Sequence, residues 1–217
     1  GPPNSGIFDV QTVGLDRKTV IVVNETVDNI DAWEKISGIE VNFIEMDAEL
    51  DTNNGTVADG YISGATVFID LDRDGELDIE TEPFTMTDEY GNYSMKTARS
   101  DAPIIAFGGT DISTNTLFNG TLSAPNGAKV INPLTTVIEK MVSSGMVEDY
   151  EEANEKLTEA MGIEAIDGER IDLTQYDPLQ AAEKTDSTDE EMEVALSAAQ
   201  AAIQIGSIMV STNELGG

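Results

Sequence analysis

The hydrophobic pattern of this 217-residue chain changes its period near residue 132, and that change limits the folds open to it. Between about residues 19 and 122 the apolar residues occur in short runs, such as ATVFIDL at 65–71, that are rich in β-branched side chains and separated by Gly, Asn and Asp. Such runs are typical of β-strands. From residue 132 onward, apolar residues recur every three or four positions, as on one face of a helix. We therefore expect an α+β fold, with a β-sandwich-like N-terminal half and a helical C-terminal half packed against it.

A start signal marks the first helix of the C-terminal half. Asn132 is a favoured N-cap residue, and Pro133 suits the first helical position. The apolar spacing predicts a second helix over about 148–161, and the Asp-Pro pair at 177–178 begins a short third one.

A long Ala-rich helix is expected to open with a capping box at Thr188 and Glu191 and to run to about residue 210. We divide the chain into an N-terminal extension with strands, at residues 1–50, and one domain at 51–217, whose β part covers 51–131 and whose helical part covers 132–217.

The charge of the chain excludes several classes of partner. It carries 42 acidic and 11 basic residues, a net charge of −31, and contains neither His nor Cys. Nucleic acids and anionic membrane surfaces both require basic patches, so neither is expected to bind. No apolar run is long enough to suggest insertion into a membrane. Without thiolates or imidazoles, a bound metal must prefer oxygen ligands, which favours Ca²⁺ over Mg²⁺.

One stretch, DLDRDGELDIETE at residues 70–82, concentrates this charge in what we call the acidic loop. It contains seven carboxylates and a single Arg73. Alternate acidic residues followed by Gly75 match the first half of the Ca²⁺ loop of an EF-hand, in which alternate side chains point inward and glycine permits a sharp turn. The expected Glu at position 12 is displaced by one residue, and the flanking segments resemble strands. The pattern therefore predicts a Ca²⁺ loop between two strands, with ligands from Asp70, Asp72, Asp74, Glu76, Asp78 and Glu82.

Three further carboxylates are candidate metal ligands. Asp88 lies in the turn TDEYGNY and would complete the shell of the acidic loop if the two ends of the hairpin meet. Asp59, in a DGY turn, and Asp111, in the segment FGGTDIST, are candidates for another cation. We therefore expect more than one Ca²⁺ ion.

Five segments occur together, in this order, and carry a resemblance to a known family: ADGYISGATVF, FGGTDIST, FNGTLSAP, NPLTTVIEKMV and DLTQYDPL. The set is similar to the Ca²⁺-dependent peptide-binding domains of bacterial repeats-in-toxin (RTX) adhesins, over about residues 56–205. The resemblance implies a secreted, surface-tethered module for cell adhesion, a monomeric domain within a much longer chain. It implies binding, in the presence of Ca²⁺, of a short peptide at its free C-terminal carboxylate, presented on another cell surface.

The segment FGGTDIST is the best candidate for the peptide site. Two adjacent glycines would let backbone N–H groups turn toward a ligand, as in an anion-binding nest, and the hydroxyl groups that follow add donors. The chain has no cluster of Arg and Lys to receive a carboxylate, so a nest or a Ca²⁺ ion with an open position would have to do so. A plain loop leaving a strand explains the same segment. The candidate residues are Gly108, Gly109, Thr110, Asp111, Ser113, Thr114 and Asn119, while the acidic loop is expected only to hold the β part together.

Two other functions fit parts of the sequence. A structural spacer would use Ca²⁺ only for rigidity, but it would not need the helical half. A glycoside hydrolase would use paired carboxylates, but aromatic residues make up only 6% of the chain and Trp33 is the single Trp. We therefore expect a binding module and not an enzyme.

Overall fold

The computed structural model of the protein describes residues 51–98 and 100–215, with side chains for 52–98 and 100–209. The chain divides into two units, Gly1–Glu49 and Leu50–Gly217, and every element below belongs to the second. The strands expected within residues 1–50 lie outside the described residues.

The described part of the domain contains ten short strands, arranged in three small sheets. The largest sheet has four strands in the order β4-β3-β6-β9, and two sheets of three strands have the orders β10-β1-β5 and β2-β7-β8. All neighbouring strands are antiparallel except β1 and β10. The strands are β1 Asp51–Val57, β2 Ile62–Ser63, β3 Thr66–Ile69, β4 Phe84–Met86, β5 Asn92–Thr97, β6 Ile104–Phe107, β7 Thr110–Asp111, β8 Thr116–Leu117, β9 Thr121–Ala124 and β10 Val130–Ile131.

Alternation of side chains places one face of these strands in a common core. In β5, every second residue is buried, and Tyr93 and Met95 point inward. The core of the β part combines residues from all three sheets: Val57, Ile62, Val67, Ile69, Tyr93, Met95, Ile104, Ala106, Leu122, Ala124 and Ile131.

Four helices follow in the described residues: α1 Pro133–Ser143, α2 Tyr150–Met161, α3 Pro178–Glu183 and α4 Asp189–Leu215. Asn132 caps α1 as predicted, since its side chain accepts a hydrogen bond from the N–H of Thr135 at 2.9 Å. The predicted capping box of α4 is also present, with Thr188 and Glu191 bonded to each other's backbone N–H. Helix α4 ends five residues later than the prediction of residue 210.

The helices form a second core that packs on the first through α1. Buried side chains of this core include Leu134, Ile138, Leu157, Leu173, Val194 and Ala198. The hydroxyl of Thr135 in α1 donates to the carbonyl of Ser123 in β9 at 2.9 Å, which fixes the helix to the edge of the four-stranded sheet. The predicted α+β class is confirmed.

Within the described residues, the stretch Asp189–Met209 of α4 is long and apolar enough to span a membrane, judged by length and composition alone. Buried helices of globular domains have the same composition, and Val194, Ala198 and Ala201 of this stretch lie in the second core.

Candidate cation sites and an adjacent cleft

The acidic loop connects β3 to β4 and begins with a buried carboxylate. Asp70 is only 3% exposed. Its two oxygens accept hydrogen bonds from the N–H groups of Asp74, at 3.1 Å, and Gly75, at 3.0 Å. Burial is the main reason why the pKa of Asp70 lies above its ordinary value; the N–H of Gly75 opposes this rise and the charge of Glu82 adds to it. Burial therefore makes the charged form of Asp70 less favourable than that of an exposed aspartate, and nearby positive charge would favour it.

Three carboxylates converge at the first half of this loop. Ligand oxygens of Asp70, Asp72 and Asp74 all lie within 4.8 Å of one another, close enough to share one ion. The chain winds tightly because Arg73 and Gly75 both adopt left-handed backbone conformations, with φ of 63° and 82°. An all-oxygen group of this kind suits Ca²⁺ or Mg²⁺. The sequence predicted a loop between two strands that can hold a metal ion, and the arrangement of these three aspartates confirms that prediction.

The second half of the loop is closed by Glu82, one of the predicted ligands. Its side chain accepts from the N–H of Leu71 at 2.7 Å and from the N–H of Asp78 at 3.0 Å, and the residue is 6% exposed. Glu82 thus joins the two ends of the loop. Glu76 and Asp78, the other predicted ligands, belong to the same loop but not to the group of three.

The structure does not bring Asp88 to the acidic loop. The loop enters β4 at Phe84, whereas Asp88 follows the far end of that strand, where Met86 pairs with Thr66 at the start of β3. Its Oδ1 accepts from the N–H groups of Tyr90 and Asn92, both at 2.9 Å, and so caps its own turn. The shell of the acidic loop is therefore not completed by Asp88.

Asp59 and Asp111 do come together, although they are far apart in sequence. The pairing of β2 with β7 sets Ile62 opposite Asp111. Gly60 (φ 75°) then lies so close that a Cβ atom there would be 2.7 Å from Oδ1 of Asp111. Burial, followed by the charge of Asp111, raises the pKa of Asp59. The described residues place no third acidic side chain with these two to form a shared site.

The donors predicted in FGGTDIST are used by the segment itself. Asp111 accepts from the hydroxyl groups of Ser113, at 2.7 Å, and Thr114, at 2.8 Å, as well as from the N–H of Ser113 at 2.8 Å. Partial burial acts to raise the pKa of Asp111, but these hydrogen bonds lower it below its ordinary value. The segment is a β7–β8 hairpin that Asp111 holds closed, and Thr110 pairs with Leu117 in it. The hydroxyl protons of Ser113 and Thr114 are therefore not directed to a ligand, because they are donated to Asp111.

The two glycines before this hairpin have different roles. Both have positive φ, 67° at Gly108 and 92° at Gly109. A Cβ atom at Gly109 would lie 2.6 Å from the carbonyl oxygen of Ser63, so this residue is required for close packing of strands. Gly108 has no such neighbour and is open on that side.

A cleft of about 380 Å³ lies beside the acidic loop. Gly108 and Asn119, from the predicted peptide site, line this cleft, but the other predicted residues of that site do not. Phe107 and Phe118, which sequence reasoning did not single out although they begin FGGTD and FNGT, supply apolar walls. Three residues of the acidic loop also line the cleft. The lining residues are Gly75, Glu76, Leu77, Phe107, Gly108, Phe118, Asn119, Gly120 and Thr121.

No protein-family model, curated protein or solved structure matches the chain. The resemblance to RTX adhesins thus stays a prediction from its motifs.

Proposed function

We propose that this domain is a Ca²⁺-dependent adhesion module that binds short peptides at a free C-terminal carboxylate. The observation that carries the proposal is that the loop with the three converging aspartates also forms one wall of the cleft, through Gly75, Glu76 and Leu77. A site for a divalent cation and a space for a peptide are thereby neighbours.

The charge of the cleft explains why a cation would be needed. Its lining contains one carboxylate, on Glu76, and no Lys or Arg. A peptide carboxylate would be repelled by such a surface, and a bound divalent cation would supply the missing positive charge. Gly108 and Asn119 lie in the same lining and would offer a backbone N–H and a side-chain amide to a peptide, and Phe107 and Phe118 would offer apolar contacts.

A second Ca²⁺ ion is proposed at Asp59 and Asp111. Two carboxylates brought this close repel each other, and the described ion pairs include neither of them. A cation between them would relieve that repulsion and, with few protein ligands, would keep coordination positions open.

The biological setting proposed is that of a non-enzymatic domain of a secreted, surface-tethered adhesin. It would act as a monomeric module of a much longer chain, with a peptide or protein C-terminus on another cell as partner, and without contact to nucleic acid or insertion into membrane. A structural spacer is the second candidate, because Asp70 and Glu82 already bind the loop's own backbone.

Peptide binding separates these two functions. A library of peptides with free or amidated C-termini is titrated in Ca²⁺ and in chelator. We expect free C-termini to bind in Ca²⁺, and amidation or chelation to abolish binding. Asp72→Asn should raise the Ca²⁺ concentration needed for peptide binding, while Asp88→Asn, which changes a carboxylate away from the acidic loop, should not. Equal binding of free and amidated peptides would contradict carboxylate capture, and no binding at all would leave the spacer.

A further inference from the structure

Asparagine followed directly by glycine occurs three times in the chain, with the asparagines at Asn54, Asn119 and Asn126. This pair is chemically labile, because the backbone nitrogen of the glycine can attack the Cγ carbon of the asparagine side chain. Glycine permits the attack, since it has no Cβ atom and its backbone reaches conformations closed to other residues. The attack also needs a side-chain amide and a backbone that are free to turn, so the surroundings of each pair determine how fast it reacts.

The first pair is held within a sheet. Asn54 and Gly55 belong to β1 and are paired with β5. The Oδ1 of Asn54 also accepts a hydrogen bond from Nζ of Lys129. Gly55 is packed so closely that a Cβ atom there would lie 2.6 Å from the carbonyl oxygen of Lys129. Because side chain and backbone are both fixed, reaction at Asn54 requires local opening of the strand.

The third pair is held by a turn. The N–H of Ala128 donates to the carbonyl of Pro125 at 3.1 Å. This bond closes a turn with Asn126 and Gly127 at its two central positions, and the φ of 85° at Gly127 is that of a type II turn. The Nδ2 of Asn126 donates to the carbonyl of Ala102 at 3.2 Å. The side chain and the backbone of this pair are therefore restrained as well.

The second pair has neither restraint among the residues that the structure describes. Asn119 is exposed and lies between β8 and β9, outside any strand. Within the same described residues, its side-chain amide has no hydrogen-bond partner, and the N–H of Gly120, whose nitrogen would attack, donates no hydrogen bond. A Cβ atom at Gly120 would lie 2.7 Å from the ring of Phe118, so this position requires glycine unless the ring moves. The labile pair is thereby built into this segment.

We propose that Asn119 is a site of spontaneous deamidation, in preference to Asn54 and Asn126. The nitrogen of Gly120 gives its proton to water or hydroxide and bonds to Cγ of Asn119, and the side-chain nitrogen leaves as ammonia. Water then adds to one carbonyl of the resulting cyclic imide and breaks its C–N bond, which leaves aspartate or isoaspartate at position 119. The reaction consumes only water.

The product changes the cleft beside the acidic loop, because Asn119 lies in its lining. That lining carries a single carboxylate, on Glu76, and deamidation adds a second while it removes an amide donor. A ligand carboxylate is then repelled more strongly. The modified protein should therefore bind a free C-terminus more weakly. This consequence rests on the proposed function, whereas the deamidation itself does not.

Peptide mapping by mass spectrometry tests the site. The full chain is incubated in mildly alkaline buffer, and the mass gained when an amide becomes an acid is followed at each pair. One or two hydrogen bonds must open before the other two pairs react, so we expect Asn119 to convert roughly five- to thirtyfold faster than Asn54 or Asn126. In denaturant the three rates should become similar. Equal rates in the folded protein, the same difference in denaturant, or no conversion at Asn119 would each overturn the proposal.

Peptide titration in Ca²⁺ tests the consequence, with the same library of peptides that have free C-termini. Asn119→Asp places the aspartate product in the cleft, and Gln204→Glu makes the same charge change at an exposed position of α4. We expect Asn119→Asp to weaken binding by about two- to fivefold and Gln204→Glu to leave it unchanged. Unchanged binding by Asn119→Asp would overturn the effect on the cleft but not the deamidation. A parent protein that binds no peptide would overturn the proposed function, while the mass measurement would still decide the modification.

Discussion

The acidic loop at 70–82 and the hairpin that follows FGG at 107–109 both hold carboxylates that accept hydrogen bonds from their own segment. They differ in how well those hydrogen bonds stabilise the negative charge. Asp111 receives donors from Ser113 and Thr114 and has a lowered pKa. Asp70 receives two N–H groups, remains buried, and has a raised pKa, with Asp72 and Asp74 beside it. Side-chain hydroxyl groups of the hairpin itself stabilise the charge of Asp111, whereas the acidic loop gathers three carboxylates and supplies only backbone N–H donors to Asp70.

Removal of Ca²⁺ is the strongest test of that difference. We expect a chelator to lower the free energy of unfolding by about 3–4 kcal/mol if Ca²⁺ was present at roughly 100 to 1,000 times its Kd. The midpoint of thermal unfolding should then fall by roughly 10 °C. Calorimetric melts with and without Ca²⁺ measure this. Equal melting midpoints with and without Ca²⁺ would show that the acidic loop does not need a cation, and would contradict the contrast drawn with the hairpin.

Loss of one hairpin carboxylate should have an intermediate effect. Asp111→Ala removes the acceptor for Ser113 and Thr114, and we expect the free energy of unfolding to fall by about 1–3 kcal/mol even in chelator. If Asp59 and Asp111 share a cation, the loss is larger in Ca²⁺. Denaturant titrations in both conditions measure the two values. A variant as stable as the parent in chelator would show that the hairpin does not depend on Asp111.

Asp72→Asn should have opposite effects with and without Ca²⁺. In chelator the substitution relieves repulsion by Asp70 and Asp74, and we expect stability to rise by up to about 1 kcal/mol. In Ca²⁺ it removes a ligand, and we expect the stabilisation by Ca²⁺ to fall by about 1–2 kcal/mol, corresponding to roughly a tenfold loss of affinity. Calorimetric melts of the variant and the parent, with Ca²⁺ and with chelator, measure both effects. Asp88→Asn serves as control, since the amide oxygen can still accept from Tyr90 and Asn92. If its stability also rose in chelator and fell in Ca²⁺, the assignment of Asp72 as a ligand would be contradicted.

The smallest expected effect concerns pH. Burial and the charge of Asp111 raise the pKa of Asp59 in the folded protein above 3.8. Between 3.8 and the raised value the folded state binds more protons than the unfolded state, so this residue's contribution to stability falls as pH rises through that window. In chelator, the free energy of unfolding should therefore decrease less steeply above pH 4 in Asp59→Asn than in the parent. The difference should be under about 1 kcal/mol because solvent screens the charges. Parallel slopes in parent and variant would contradict the proximity of the two carboxylates.

Local features were predictable because neighbours in sequence determine them. Asn132 before Pro133 identified the start of α1, and Thr188 with Glu191 identified the start of α4. The acidic residues at 70, 72 and 74 converge because alternate side chains of a tightly wound loop point the same way. The roles of Ser113 and Thr114 were not predictable, since a hydroxyl group can serve a ligand or a neighbouring carboxylate and the sequence does not distinguish them.

The sequence by itself determined the α+β class, the helix starts, the lack of thiolate and imidazole ligands and the place of the acidic loop, all of which depend on residue type and short spacing. Only the tertiary structure decided which distant residues meet. Strand register separates Asp88 from the acidic loop, and the pairing of β2 with β7 joins Asp59 to Asp111. The packing of α1 against α2 sets the hydroxyl of Tyr150 2.8 Å from the Glu139 carboxylate. Such encounters depend on long-range packing, which residue spacing does not encode in any local pattern.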